Sequence, residues 1–486
     1  MHPVPTLFDA IVVGAGQGGS PLARDLAAAG WKTALVEREY VGGTCVNRGC
    51  TPTKTLAAIA EVAHLVRQSG TFGVESGPVS LNMGHISQRR QKIVENFRVS
   101  QLEKLKGMKN LTLLRGEAVF TGVKEMEVRF NAGGSGRIRA QTIILDTGSR
   151  PAMPKIDNLQ NIDFLTSRTV LDTSFIPPHL AIVGGGYVGV EFAQMFRRLG
   201  SNVTLIQSAP QLLPQEDEDM ARILKQILEE EGIRISLNAR VVSVRQRSAQ
   251  QIELEIRQAA GMRKKIVSHL LVATGRRPNS DHLNLPLSGV ETDSRGYIKV
   301  SAGLETSQEG IFALGDVTGG AAFTHIAYDD YRVLRRRLLA GETAEVGERN
   351  IPFTIFTDPQ LGRVGISERE ARRRGISYMR AEMPVWQMAR AREIGRTLGK
   401  LKVLIHPENQ QILGCGILAP QGGELMSALQ IAMMGRLPYT RLRDAAFAHP
   451  TLVESFNNLF DRTVLVPAAP VPKPVTRTSL SEASPG

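Results

Sequence analysis

The sequence predicts an α/β protein: two Rossmann-type dinucleotide-binding domains followed by a C-terminal α+β domain. Three observations carry this reading. An apolar strand, Asp9-Ala10-Ile11-Val12-Val13, runs into the glycine-rich turn Gly14-Ala15-Gly16-Gln17-Gly18-Gly19 and then a helical pattern. The same arrangement returns after residue 180, with the turn Gly184-Gly185-Gly186-Tyr187-Val188-Gly189. At 486 residues the chain exceeds what one hydrophobic core supports, so two to four domains are expected.

In the first unit the strand and turn lead to a helix over residues 20–29, with Leu22, Ala23, Leu26 and Ala27 on one face and Gly30 as its stop. A second strand, 33–36, ends at Glu37. Each part has a mechanical reason. Gly14 permits the tight turn, Gly16 lets the backbone approach a pyrophosphate, and Gly19 lets helix pack on strand. The helix N-terminus faces the phosphates, and Glu37 is spaced to accept from ribose hydroxyls.

Next comes Gly42-Gly43-Thr44-Cys45-Val46-Asn47-Arg48-Gly49-Cys50-Thr51-Pro52-Thr53-Lys54. Two thiols separated by four residues precede a helix in which Pro52 suits an early position. Cys50 then lies at or near the helix N-terminus, where the positive end of the dipole favours a thiolate, with Lys54 one turn further on. Two buried structural cysteines are the weaker reading, given the flanking glycines. A zinc site is weaker still, since no second Cys or His pair has suitable spacing; no metal site is expected.

An amphipathic stretch over 86–105 and strand-rich sequence over 111–144 lead to the second unit. Its strand, 180–183, is followed by the Gly184, Gly186, Gly189 turn, a helix over 190–199 and a strand over 203–206. Here Gln207 and Ser208 stand where an acid marks NAD use. A neutral Gln207 removes repulsion against a 2′-phosphate without supplying positive charge, so NADPH is slightly preferred and dual use with NADH is open. A helix over 217–231, strands over 233–272, and mixed strands and helices over 351–464 follow, including a strand over 400–405 and a helix over 423–434. Cys415 sits in an apolar strand pattern and reads as core. The final stretch, 467–486, is rich in Pro, Ser and Ala, and a disordered tail is expected.

Composition narrows the function. The balance of 42% hydrophobic and 22% charged residues is that of a soluble globular protein, and 47 glycines suit many strand-to-helix turns. The net charge of +12 is scattered and not interleaved with aromatics, so no nucleic-acid partner is expected. No apolar run has membrane-spanning length, and Met1 to Phe8 lacks the basic and apolar regions of a secretory leader. Only three cysteines argue against a disulfide framework. A cytoplasmic location is the expectation.

The cysteine segment, following an N-terminal dinucleotide fold, resembles the redox-disulfide motif of the class I flavoprotein disulfide reductases, or pyridine nucleotide-disulfide oxidoreductases. That family includes glutathione reductase, dihydrolipoamide dehydrogenase and mercuric reductase, and five motifs in the family's order support the likeness across residues 8–465. The resemblance implies that the first fold holds FAD and the second NADPH or NADH. It implies a discontinuous FAD domain over 1–155 and 279–350, an NAD(P) domain over 156–278, a dimerisation domain over 351–465 and a tail over 466–486.

By residue, the resemblance makes Cys50 the charge-transfer thiol against the flavin and Cys45 the exposed interchange thiol. Lys54 and Glu191 become the ion pair beside the reactive flavin nitrogen, and Tyr187 the cap of the nicotinamide pocket. Thr306 and Ile311-Phe312-Ala313-Leu314-Gly315-Asp316 look like the second FAD motif, with Asp316 bonded to the ribityl chain. Thr44, Gly148 and Gly275 complete the expected cofactor contacts. His449-Pro450-Thr451 with Glu454 resembles the C-terminal acid–base dyad, which in the family serves the other subunit's cysteines and implies a homodimer. The dyad also makes sense unaided, since dithiol–disulfide exchange needs a group that gives and takes a proton near neutrality.

The motifs imply an enzyme that passes hydride equivalents from NAD(P)H through FAD to the Cys45–Cys50 disulfide, and on to a small disulfide or soft electrophile. The strings Gly42 to Asn47 and Phe192-Ala193-Gln194-Met195-Phe196 resemble mercuric-reductase-like members. Against this, no cysteine follows Cys415, whereas mercuric reductases end in a vicinal pair. Dihydrolipoamide dehydrogenase or glutathione reductase activity is the alternative, and a non-enzymatic flavin-binding protein a third reading that the intact Cys45, Cys50, His449 and Glu454 oppose. Asp146, in Asp146-Thr147-Gly148-Ser149, replaces the family's usual Ala, and no consequence follows from the sequence.

Overall fold

The computed structural model describes residues 7–347 and 349–468. They divide into two compact units. The first comprises residues up to Pro214, Leu224–Ile351 and Ile355–Asp358; the second comprises Gln215–Ile223, Pro352–Thr354 and the chain from Pro359 onward.

The first unit is organised by two sheets. In one, strand Leu7–Val13 lies between Thr33–Glu37 and Ser135–Leu145, all parallel, with Ile11 opposite both Ala34 and Ile143. Strand Ile311–Ala313 adds to the far side, pairing Ile311 with Ile143. Ser135–Leu145 serves twice. Its later residues join the parallel core, while its earlier ones pair antiparallel with Glu125–Phe130, which continues to Leu111–Gly122. Buried Phe8, Ile11, Phe120, Ile138 and Ile143 hold this sheet together. Burial on both faces explains why the central strands are apolar runs and not alternating patterns.

The other sheet is parallel in the order Arg234–Ser236, Asn202–Ile206, His179–Val183, His269–Val272, Leu165–Thr166. An antiparallel trio, Arg240–Ser248, Gln251–Gln258 and Gly261–Val267, stands beside it. In the second unit an antiparallel sheet runs Gln360–Gly365, Ile412–Ala419, Lys400–Ile405, Tyr378–Pro384, Val464–Val466, with helix Gly422–Met434 packed against it. Cys415 is 1% exposed there, within the core.

Element limits move by a few residues for local reasons. The stretch expected from residue 86 is helix Met83–Glu103, because the Asn82 side chain accepts the His85 N–H and starts the helix one turn before Ile86. The expected tail begins with Val466 still in a strand, and its residues from 469 lie outside the described residues. Among the described residues no helix is long and apolar enough to cross a membrane.

Candidate active site

The two glycine-rich turns are built alike. Gly14 and Gly184 both adopt φ values that favour glycine, +105° and +109°, against the carbonyl of the residue just past a neighbouring strand, Asp146 and Ala273. Helices Gly19–Ala28 and Tyr187–Arg198 follow, with Gly186 preceding the second and Tyr187 as its first residue. A Cβ on Gly19 would lie 2.2 Å from the Gly14 oxygen, and one on Gly189 1.9 Å from the Gly184 oxygen, so both helices need glycine to pack this closely. Gly148 and Gly275 turn the chain with positive φ just past the same two strands.

The residues closing the second strands also match. Glu37 Oε2 accepts the Ala15 N–H at 2.9 Å, and its Oε1 accepts from Glu39. Gln207 Oε1 accepts the Gly185 N–H at 3.2 Å, while its Nε2 donates to the Gln211 carbonyl. Glu37 therefore ties down its own turn, and any ribose hydroxyl shares oxygens already bonded to backbone. Beside the first turn a cavity of ≈ 120 Å³ is lined by Gly16, Gln17, Ser20, Arg24 and Lys104 among others.

Cys45 lies in the short helix Gly43–Arg48, and Cys50 is the first residue of helix Cys50–Gln68. Asn47 braces the segment between them: its amide donates to the Val41 and Gly43 carbonyls and accepts from Arg98. Thr44 is exposed on the same short helix. Cys50 is exposed and Cys45 half-buried. The short helix packs against the longer one.

Cys50 Sγ lies 3.4 Å from Thr324 Oγ1 at the start of helix Thr324–Ala340. Its thiol is drawn down to about 6, chiefly by the hydrogen bond from Cys45, against the cost of burial and with help from Thr324 and the Lys54 charge. Cys45 moves the other way, held protonated first by that same bond to Cys50 and then by burial. The pair thus ionises at Cys50 first.

Lys54 Nζ is 2.7 Å from Glu191 Oε2, with side-chain exposures of 33% and 11%. Glu191 Oε1 accepts the Phe356 N–H at 2.8 Å, and Lys54 lies 4.7 Å from the centre of the Phe356 ring. Asp316 Oδ2 accepts from Ser149 at 2.5 Å and is 3.5 Å from Arg276 Nε. Cys45, Cys50, Lys54 and Glu191 are thus brought together in the first unit. In the second unit His449 Nδ1 lies 2.8 and 3.0 Å from the two Glu454 oxygens. Glu454 is fixed by Thr451, whose N–H it accepts and whose hydroxyl accepts the Glu454 N–H. Its hydrogen bond and charge raise the His449 pKa.

Thr324 and Phe356 escape sequence reasoning, and Asp146 shows in it only as a departure from the usual Ala. The first two reach the site from segments distant in sequence. Asp146 carried a signal, because Asp146-Thr147-Gly148 repeats as Ala273-Thr274-Gly275 with only the first residue changed.

Two family models cover the chain: pyridine nucleotide-disulphide oxidoreductase over residues 8–330, and the dimerisation domain of the same family over 351–460. The chain belongs to the pyridine nucleotide-disulphide oxidoreductase family. It is 36% identical over 458 residues to the probable pyridine nucleotide-disulfide oxidoreductase RclA of Escherichia coli, covering 93% of this chain and 98% of that one. It is 34% identical to a dihydrolipoyl dehydrogenase of Thermus scotoductus (92% and 95% covered) and 31% identical to a mercuric reductase of Lysinibacillus sphaericus (92% and 81%). A solved structure, titled as the Cu(II) complex of HOCl-induced flavoprotein disulfide reductase RclA from Escherichia coli, matches with a TM-score of 0.86 at 34% identity, covering 94% of this chain and 99% of that one.

As a member of this family the chain is a flavoprotein disulfide oxidoreductase that uses FAD and NAD(P)H. Its residues fit such cofactors. The first turn presents a helix N-terminus with Gly16 at its mouth, and Thr147 Oγ1 beside it is buried without a hydrogen-bond partner. Among the described residues no cluster of His, Cys, Asp and Glu is arranged to hold a metal ion.

Proposed function

We propose that the protein is an NAD(P)H:disulfide oxidoreductase whose substrate is a small disulfide, reduced at Cys45 and Cys50. In this reading FAD lies on the first sheet, with residues 1–155 and 279–350, and NAD(P)H on the second, with 156–278. Residues 351–465 build a homodimer in which each subunit's His449 serves the other's cysteines. The observation that carries the proposal is the placement of Cys45 and Cys50 together at the start of helix Cys50–Gln68, with Cys50 Sγ 3.4 Å from Thr324 Oγ1 and the Lys54–Glu191 pair beside it.

The lowered Cys50 thiol and the raised Cys45 thiol suit distinct roles. Cys45 cannot attack until a base takes its proton, and His449, oriented by Glu454, is the base. The Cys45 thiolate then attacks one sulfur of the substrate disulfide. The substrate S–S bond breaks, a mixed disulfide forms, and His449 returns its proton to the departing thiolate. The Cys50 thiolate attacks Cys45 Sγ and closes the Cys45–Cys50 disulfide. The second substrate thiolate leaves and takes a proton from water, so the substrate gains two electrons and two protons. FAD, when bound, supplies the two-electron path from the nicotinamide to that disulfide. Lys54 and Glu191 hold a fixed charge pair beside Cys50, and Asp316 is aimed by Ser149 and Arg276.

Gln207 carries no charge to repel a 2′-phosphate and none to attract it, which favours NADPH slightly and leaves NADH usable. It also disfavours the reverse, NAD-reducing direction of dihydrolipoyl dehydrogenases. A soft metal ion is the second reading. A relative's structure is titled as a Cu(II) complex, mercuric reductases are among the relatives, and two thiols are suitable soft ligands. Cys415 is too deeply buried to hand a metal over. A reversible thiol pair suits the reducing cytoplasm.

The test is a panel of glutathione disulfide, lipoamide, small protein disulfides, Hg(II) and Cu(II), each with NADH and NADPH. Cys45→Ser should keep FAD and flavin reduction by NAD(P)H while losing disulfide turnover. Unchanged disulfide turnover in that variant would sink the mechanism.

A further inference from the structure

The second dinucleotide turn is an internal standard for the first, and one side chain departs from it. Ala273 and Asp146 directly follow equivalent strands, receive the same close approach from Gly184 and Gly14, and are each followed by Thr-Gly. Ala273 contributes a methyl group. Asp146 instead places a carboxyl inside the turn. Its Oδ2 accepts the Gly19 N–H at 2.7 Å, at the start of helix Gly19–Ala28. A Cβ on Gly16 would lie 2.7 Å from Oδ2, and one on Gly315 3.1 Å from Oδ1, so the carboxyl is wedged between the two stretches expected to meet the cofactor.

Its surroundings disfavour a charge. Asp146 is 8% exposed. The ionisable groups facing it are carboxylates: Glu37 from strand Thr33–Glu37, Asp316 from the turn Gly315–Thr318, and Asp330 from helix Thr324–Ala340. The nearby cations are engaged elsewhere, Arg349 with Asp329 and Asp330, and Arg276 with Ser149 and Asp316. No cation among the described residues pairs with Asp146. Burial, reinforced by these carboxylates, drives its carboxyl well above the usual range. A dinucleotide diphosphate at this helix N-terminus adds further negative charge to the same place. The neighbouring Thr147 hydroxyl, buried and without a partner, marks the spot as one that meets another polar group.

We propose that Asp146 is a proton-linked lock on FAD, whose carboxyl must be neutral for the diphosphate to be held. FAD binding therefore takes up a proton, and FAD is released as pH rises. The neutral acid keeps its bond to Gly19 and presents a donor where the ionised form presents a charge. The inference rests on the reading of the first sheet as the FAD site.

The experiment uses purified holoenzyme, equilibrated between about pH 6 and pH 10, with released FAD measured by its fluorescence. Above the pKa of Asp146 in the flavin-free protein, one linked proton weakens FAD binding by about tenfold per pH unit. Asp146→Asn keeps the acceptor for Gly19 and carries no charge, so it should retain FAD across the range. Asp146→Ala installs the side chain of the second turn and should likewise lose the alkaline release, which keeps the test intact if one variant fails to fold. Wild type and variants releasing FAD with the same pH dependence would overturn the proposal, as would a variant that loses FAD equally at every pH. Protein purified without flavin at pH 6 would instead sink the reading of the first sheet.

Discussion

Substituting Gly189 by alanine should separate the two nucleotide sites. The added Cβ would stand 1.9 Å from the Gly184 carbonyl oxygen and 3.7 Å from Leu205. The close partner is backbone, so no side-chain rotation relieves the contact. Helix Tyr187–Arg198 has to withdraw by more than about 1 Å to restore van der Waals separation. That helix buries Val190, Phe192, Met195 and Phe196, so withdrawal also opens packing behind it. Overpacking of this kind costs about 1–3 kcal/mol, and if it falls on the nucleotide-bound geometry the dissociation constant for NAD(P)H rises about 5- to 150-fold. The assay is stopped-flow bleaching of the bound flavin against NADPH and NADH concentration, with FAD content measured on the same preparations. Gly189→Ala should keep its FAD and lose nucleotide affinity. Gly19→Ala, with a Cβ 2.2 Å from Gly14 oxygen, should lose FAD. Wild-type nucleotide affinity in Gly189→Ala, or equal FAD loss in both variants, refutes the assignment of one cofactor to each sheet.

Two other perturbations probe the second unit. Glu454 raises the His449 pKa, so the imidazolium that protonates a leaving thiolate survives to higher pH. Glu454→Gln should move the alkaline limb of kcat/KM for disulfide reduction to lower pH, and an unmoved limb would show that the dyad does not act as one unit. Arg363, with a side chain 7% exposed, bonds Glu216 at 2.7 Å and Asp217 at 3.0 Å, themselves 1% and 5% exposed. Arg363→Ala strips two buried carboxylates of their shared guanidinium, although Lys402 still stands 3.4 Å from Asp217, and should cost about 3–5 kcal/mol in urea unfolding. A loss under about 1 kcal/mol, the value of a surface pair, would contradict the burial.

The parts of the site that a reader of the sequence can find are those whose chemistry is local. Gly14, Gly16 and Gly19 stand within one turn, Cys45 and Cys50 within one short segment, and His449 and Glu454 within six positions, so spacing alone carries geometry. Lys54 and Glu191 were legible only through family resemblance, because 137 residues separate them. Thr324 and Phe356 had no local signature, since one begins a helix and the other follows a strand far from the cysteines in sequence. Gln207 was read as a cofactor-facing side chain, and the structure adds that it also bonds Gly185 and Gln211.

Cys415 is buried at 1% exposure, and burial pushes its thiol up to about 12. At neutral pH it is neither nucleophile nor ready target for an oxidant. On the proposed mechanism every thiol the folded protein offers to its surroundings is therefore a working one. An oxidant cannot trap either active cysteine in a scrambled bridge with a bystander inside the same subunit. Damage and turnover then share a single address, and the reductant that restarts the cycle is also the one that repairs a sulfenic acid formed there.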